Sequence, residues 1–435
     1  MESLESAIED ARTRYASANP LSRAADEKAA RYLPGGNTRT VLHFDPFPLT
    51  MVAGEGAELT DLDGHRYIDF VGEYSAALFG HSNDIIKAAI REALENGIAM
   101  GAPTQYERVL AELLCGRFPS LEQVRFCNSG TEANLMALST ARVVTGRNKL
   151  LAFKDGYHGG VIKFIGGPCA LNMPFDFVLA DFNDIDGMAR LIDQVGDELA
   201  GAIVEPILGA GGNIQGNREF LSTLRRKTEE VGALLIFDEV KTARHGPAGI
   251  QGMLDIEPDL TTLGKFIGGG LPTGAFGGSA ELMAQFDPKR QGALAHAGTF
   301  NNNVCSMAAG CAAMSKIYTP ERATAFFDWS EAFRQSLNEM FAAKAVPMYA
   351  NGLASMIAIH FSREATRSPA DISPGCRSLR PLLHMELLLD GVSVCTRGDL
   401  FLSLPMNDSH LSKAHGALEK FADRYEPLIE KVLAE

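Results

Sequence analysis

The sequence predicts an α/β fold: a large domain whose mostly parallel sheet is covered by helices, with a smaller α+β unit made from the N- and C-terminal segments. Two observations carry this. From about residue 85, short apolar runs (VRFC, KLLAF, FDFVLA, LAGAIV, ALLIFD, LTTLG) alternate with segments of helical period, and runs so apolar suit strands buried on both faces. Polar or glycine residues then follow these runs, and ligands of such sheets sit outside the carboxyl ends of the strands.

In chain order, residues 1–33 have an amphipathic helical pattern, broken at Asn19-Pro20 and stopped by Pro34-Gly35-Gly36. Strand-like pieces come next, with Asp63-Gly64 as a hairpin signal. The alternating segments fill the middle of the chain. From about residue 316 the pattern is helical, then strand-like (LASMIAIHF, GVSVCT, DLFLSLP), then helical to the end. The expected divisions are 1–60 for the N-terminal segment, 61–315 for the large domain and 316–435 for the C-terminal small domain.

Composition narrows the function. The 435 residues are 46% hydrophobic and 22% charged, an ordinary globular balance. With 40 Lys and Arg against 54 Asp and Glu, the formal charge of −14 argues against nucleic acid or an anionic membrane surface as partner. Seven cysteines with no CxxC pair and an odd count support neither a metal site nor a disulfide framework. The N-terminus is charged and lacks an apolar core segment, and no run is long enough to span a membrane, so the expected setting is the cytoplasm.

The segment TTLGKFIGGGLPTGAFGG (261–278) puts Lys265 into a glycine-rich stretch, with seven glycines in the fifteen positions from Gly264. It is not a phosphate loop, which needs glycine where Asp259 stands and Ser or Thr where Phe266 stands. A lysine becomes a nucleophile once burial or a neighbouring cation removes its proton, and glycines let a backbone approach a flat ligand. A solvated lysine in a surface loop is the other reading. Ser129, Gly130 and Thr131 open a helix, where backbone N–H groups suit a phosphate, although the same pattern is an ordinary helix cap. Tyr157 reads as a ring for stacking or as a buried aromatic, and His158 as an actor or a core histidine. Asp238 ends a strand and needs a partner there, either a protonated pyridine nitrogen or an arginine such as Arg244. Glu205 ends another strand. Together these groups describe a site for pyridoxal phosphate: a lysine for its aldehyde, a carboxylate for its pyridine nitrogen, an aromatic for its ring and a helix N-terminus for its phosphate.

The succession NSGTEA, YHG, VEP, FDEV, LGKFIGGGLPTGAFGG and GTF also resembles the class III aminotransferases, pyridoxal-phosphate enzymes of fold type I that include glutamate-1-semialdehyde aminomutase. The resemblance runs from about Pro34 to Pro405. It implies Lys265 as Schiff-base lysine and proton shuttle, Asp238 as partner of the pyridine nitrogen, and Val240 and Tyr157 on the two ring faces. It implies Ser129, Gly130 and Thr131 at the phosphate, with His158 and Glu205 also beside the cofactor. The partner subunit's Thr299 would reach the same phosphate, which implies a homodimer with shared sites. Two departures stand out: Lys241 follows DEV where the family usually has a neutral residue, and NNNV at 301–304 replaces a commoner Asn-Pro continuation.

The loop PGGNTRTVLHFDPFPL agrees with that of the aminomutase only at its start. It carries Arg39 beside Val41, Leu42 and Phe44, and an arginine fork matches a carboxylate. With EYSA around Tyr74, with FNNNV, and with Thr396-Arg397-Gly398, the loop is similar to the β-amino-acid branch of the family. That similarity implies Arg39 for the substrate carboxylate, Arg397 on a flexible segment for the distal carboxylate of the acceptor, and Phe44 and Tyr74 in the substrate pocket. The expected reaction moves an amino group from a β-amino acid, aromatic in type, to a 2-oxo acid such as 2-oxoglutarate or pyruvate. An aminomutase of the glutamate-1-semialdehyde type and an ω-amine aminotransferase are the alternatives.

Overall fold

The computed structural model describes residues 3–435. Its centre is a seven-stranded sheet made, in chain order, of β1 (Gln123–Cys127), β2 (Lys149–Phe153), β3 (Asp176–Ala180), β4 (Leu199–Val204), β5 (Leu234–Asp238), β6 (Leu260–Gly264) and β7 (Gly274–Gly278). The spatial order is β1-β7-β6-β5-β4-β2-β3. β1 to β6 are the six apolar runs. β4 and β6 are buried at every residue, as strands covered on both faces must be. Helix Gly130–Thr145 lies across β7, β6 and β4 on Ala133, Ala137 and Ala141, whose small side chains allow a close seat.

The glycine-rich stretch departs from its expected part as clearance for a ligand. Gly274–Gly278 is strand β7, antiparallel to both of its neighbours. Glycine weakens a strand in isolation, but here the backbone passes too close to its surroundings for side chains. A β-carbon at Gly274 would overlap the Ser129 carbonyl, and one at Gly277 the Gln123 carbonyl.

A four-stranded sheet ties the two ends of the chain together: Met51–Glu55, Glu58–Asp61, Arg66–Asp69 and Val392–Ser393, the last two parallel to each other. The Asp63-Gly64 turn joins its second and third strands, where Asp61 accepts from the His65 N–H (2.8 Å) and the Tyr67 hydroxyl (2.7 Å). The boundary read at residue 60 falls inside Glu58–Asp61, and the next strand of this sheet runs to Asp69. Tyr349–Leu353, Met356–His360 and Asp399–Phe401 form a three-stranded sheet packed with the C-terminal helices. The N-terminal pattern resolves into helices Leu4–Ala18 and Pro20–Ala29, separated at Asn19 because proline starts a helix but cannot continue one. Among the described residues no helix is long and apolar enough to cross a membrane.

Candidate active site

The carboxyl ends of the parallel strands open on a cleft of about 580 Å³. Its wall holds Ser129, Gly130, Thr131, Tyr157, His158, Glu205, Asp238, Val240 and Lys265, every cofactor residue read from the sequence except Thr299. Thr299 lies exposed, outside the cleft of its own chain.

Asp238 ends β5 and is held on three sides. Its Oδ2 accepts from Asn134 Nδ2 (2.8 Å) and lies 2.8 Å from His158 Nδ1, and its Oδ1 accepts from the Val240 N–H (3.0 Å). An ionised carboxylate has no proton to give, so the His158 proton in this pair sits on Nδ1. The Thr262 hydroxyl of β6 donates to Asn134 Oδ1 at 2.6 Å, which locks the network to the sheet. His158 is therefore an orienting residue, with its buried Nε2 left unpartnered. Arg244, the alternative partner of Asp238, is buried elsewhere and donates to Ser355 and to the Ser75 and Leu402 carbonyls. Sequence reasoning misses Asn134; its signal is a polar side chain one turn into a helix whose other inward residues are mostly alanines. Glu239, adjacent to Asp238, turns away to accept from the Ile250 and Gln251 N–H groups and the Thr242 hydroxyl.

Lys265 follows β6 with φ at 54°, in the left-handed region, a conformation that costs a non-glycine residue about 1–3 kcal/mol and persists where the surroundings dictate it. Its ammonium has no ion-pair partner among the described residues. Burial, and after it the Lys241 ammonium, push its pKa down to about 8, against the pull of Asp238 and Glu205.

The Ser129 hydroxyl accepts from the Glu132 N–H (3.2 Å), so the helix cap is real. It coexists with an anion site, because the first N–H groups of a helix have no partner within it. A β-carbon on Gly130 would overlap the Val240 side chain, which packs Val240 directly on the helix start. The Tyr157 N–H donates to Glu205 Oε2 (2.9 Å), and Glu205 Oε1 accepts from the Gly209 N–H (3.1 Å). Burial raises the proton affinity of the Glu205 carboxyl.

Arg39, Tyr74 and Arg397 form a second cluster. Tyr74 sits in a left-handed turn, Gly72–Ser75, with φ of 51°, 47°, 53° and 77° in succession. Its ring centroid lies 5.3 Å from the Arg39 guanidinium carbon and 5.8 Å from that of Arg397. Each arginine has its own acid: Arg39 pairs with Glu73, and Arg397 with Asp399 at 2.8 Å. The Tyr74 hydroxyl donates to the Val41 carbonyl (2.8 Å), which ties the turn to the Arg39 loop. Phe44 lies farther from the arginines but lines the same cavity as Tyr74. Its ring packs on His384 at 4.6 Å and Tyr15 at 5.8 Å between centroids, and it lines an adjoining cavity of about 790 Å³. The cavity and the cleft meet at Glu73, Ala76, Gly270 and Leu271.

The donor set suits pyridoxal phosphate. Helix-start N–H groups face an anion, an oriented carboxylate faces a pyridinium, an aliphatic side chain packs down on the helix start, and a lysine of lowered proton affinity is available to an aldehyde.

Residues 43–421 match the family described as aminotransferase class-III. The chain is 46% identical to the β-phenylalanine transaminase of Variovorax paradoxus over 98% of both sequences, and the crystal structure of the β-phenylalanine aminotransferase from that organism superposes with a TM-score of 0.96, covering 98% of this chain and 99% of that one. An ω-transaminase from Sphaerobacter thermophilus superposes with a TM-score of 0.85 at 37% identity, covering 92% and 96% of the two chains. A glutamate-1-semialdehyde 2,1-aminomutase from Macrococcus caseolyticus is 36% identical over 92% of this chain and 97% of its own. With the site geometry, these similarities make the chain a member of the class III aminotransferases, a pyridoxal-phosphate-dependent transaminase of fold type I.

Proposed function

We propose that this transaminase takes the amino group of a β-amino acid, aromatic in type, and passes it to a 2-oxo acid such as 2-oxoglutarate or pyruvate. The observation that carries the reading is the pair of arginines flanking Tyr74, set apart from Lys265 and Asp238. Two cations give two carboxylate positions, as a donor and a dicarboxylate acceptor sharing one pocket require. The relative at 46% identity is named for a donor of this class, whereas the aminomutase is 36% identical.

Bound pyridoxal phosphate supplies an aldehyde to carry the amino group and a pyridinium to take up electron density from the substrate carbon. Gly130 and Thr131 N–H groups and the Ser129 and Thr131 hydroxyls hold its phosphate, with the partner subunit's Thr299 completing that site in a homodimer. Asp238, aimed by Asn134 and His158, keeps the proton on the pyridine nitrogen. Val240 and Tyr157 hold the ring, and Glu205 fixes Tyr157 through its backbone. Lys265 Nζ, in its neutral form, would take the proton from the amino-bearing carbon and return it on the far side of the transferred nitrogen, a 1,3-shift that leaves the donor carbon ready to become a ketone. Arg39 holds the donor carboxylate. Arg397 leaves Asp399 to hold the distal carboxylate of the acceptor and turns aside when an aromatic ring enters. The domain division is 1–60, 61–315 and 316–435, and the cellular setting is the cytoplasm.

The test is a pair of half-reactions. Added 3-amino-3-phenylpropanoate should bleach the visible band of the loaded enzyme, and 2-oxoglutarate should restore it. A response to glutamate-1-semialdehyde or diamino compounds alone would overturn the proposal in favour of an aminomutase.

A further inference from the structure

Lys241 is the charged group of the cleft for which the proposed chemistry has no task. It lines the same wall as Lys265, and its ammonium lies 4.8 Å from the Phe401 ring centroid. No carboxylate pairs with it among the described residues. The acids nearby have other partners. Glu205 accepts from two backbone N–H groups, Asp399 from Arg397, and Asp238 from Asn134, His158 and the Val240 N–H. The Lys241 stem and ammonium lie close against Gly209, where a β-carbon would stand 2.7 Å from Cδ and 2.9 Å from Nζ.

An unpaired cation in a partly buried cleft is costly, and an apolar side chain of similar length would fill the place without that cost. Its charge acts on the other unpaired ammonium of the same cleft. We infer that Lys241 is a positioning residue acting through its charge: it disfavours a second positive charge on Lys265 Nζ and so keeps that nitrogen available as a base. The inference rests on Lys265 being the reacting lysine.

The groups facing the pair are few. Lys265 feels Lys241 and Arg39 against Asp238 and Glu205. Burial lowers the proton affinity of Lys241 itself; Asp399, and after it Glu205 and Cys395, act against this, and Arg397 acts with it. Lys241 is the larger of the two cationic influences on Lys265 and is second only to burial. Arg39 is ion-paired with Glu73, whereas no carboxylate among the described residues lies within ion-pair distance of Lys241. A neighbouring unpaired ammonium is one of the physical routes by which a lysine is made reactive at neutral pH.

The test compares wild-type enzyme with Lys241→Met and Lys241→Arg, each loaded with pyridoxamine phosphate so that Lys265 carries no cofactor. Lysines are competitively acetylated across a pH series, and the Lys265 peptide is quantified by mass spectrometry. The expected labelling midpoint of Lys265 in the wild type lies below the ordinary lysine value. In Lys241→Met it should move upward by about one unit or more, toward the ordinary lysine value near 10.4. Lys241→Arg, which keeps the charge, should stay with the wild type, and the acid limb of kcat against pH should move in step with the midpoint in all three. An unchanged midpoint in Lys241→Met would overturn the inference. If that variant does not fold, Lys241→Gln replaces it with the same expectation. Borohydride reduction of the pyridoxal-loaded wild type, with peptide mapping, separates the two failures. Cofactor fixed on Lys265 with an unmoved midpoint defeats the inference alone, and cofactor fixed on another lysine defeats the reading of Lys265 with it.

Discussion

The cleft and the arginine cluster beside it are built from different material. At the cofactor end Glu205, Asp238 and Lys265 stand at the ends of buried strands and Ser129, Gly130 and Thr131 at the start of a helix, with Tyr157 and His158 on the connection after β2. Asp238 is braced by Asn134 and His158, and Thr262 braces Asn134 in turn. At the substrate end Arg39 sits in a loop, Tyr74 in a left-handed turn and Arg397 in a short connection, each held by one ion pair or one hydrogen bond. The contrast suits the work that the proposed function gives each end. Groups that hold a ring and move a proton must stay in register, while groups that receive two unlike substrates must be able to part. Rigid elements give most of the first and loops give the second.

The contrast can be broken from either side. Lys265→Ala removes the proton carrier and should lower kcat by about 10³-fold or more, measured as amino transfer at saturating substrates. Asp238→Asn keeps the shape of the brace but not the charge, and should lower kcat by about 10²-fold while cofactor is lost faster on dialysis. Arg39→Ala should leave kcat near wild type and raise KM for the β-amino donor about 10- to 100-fold, the range for losing a hydrogen bond to a charged group. A fall in kcat of the Asp238→Asn size would instead place Arg39 in the chemistry.

The amine half-reaction should also depend on pH through Lys265. Its pKa lies below the ordinary value, so the neutral form gains as pH rises through about 8, and the rate should climb across that range and level off above it. The smallest effect concerns the turn. Ser75 has φ at 77° and a buried hydroxyl without a partner, so Ser75→Gly should raise unfolding stability by about 1 kcal/mol, glycine being free of the left-handed penalty. A loss of stability in urea unfolding would show that the turn is not strained.

The same division decided how much of the molecule could be read from its residues. Strands buried on both faces have to be apolar, and the polar residues that interrupt them at their ends have to be there for a reason, so Asp238, Glu205 and Lys265 announce themselves. β7 does not, because its glycines answer to the closeness of neighbouring backbone, which a local pattern cannot express. Asn134 and Arg244 are equally silent: both are buried polar residues, and Asp238 and Thr262 for the one, Ser355, Ser75 and Leu402 for the other, lie more than 100 positions away along the chain. In the loops, Arg39, Tyr74 and Arg397 could be picked out by chemistry and family likeness. The acids Glu73 and Asp399 that hold the arginines depend on three-dimensional contacts, as does the burial of Phe44 against His384.

The central claim is that the sheet-borne end performs the reaction and the loop-borne end sorts substrates. The most direct test is stopped-flow spectroscopy of the two half-reactions in Arg397→Ala. The account predicts that 3-amino-3-phenylpropanoate bleaches the enzyme with wild-type limiting rate and affinity, while 2-oxoglutarate restores it at the wild-type limiting rate but with an affinity weakened about tenfold or more, as expected when a charge-assisted contact is lost. Limiting rates reduced alike for both substrates, with affinities unchanged, would contradict it and would make Arg397 part of the catalytic machinery.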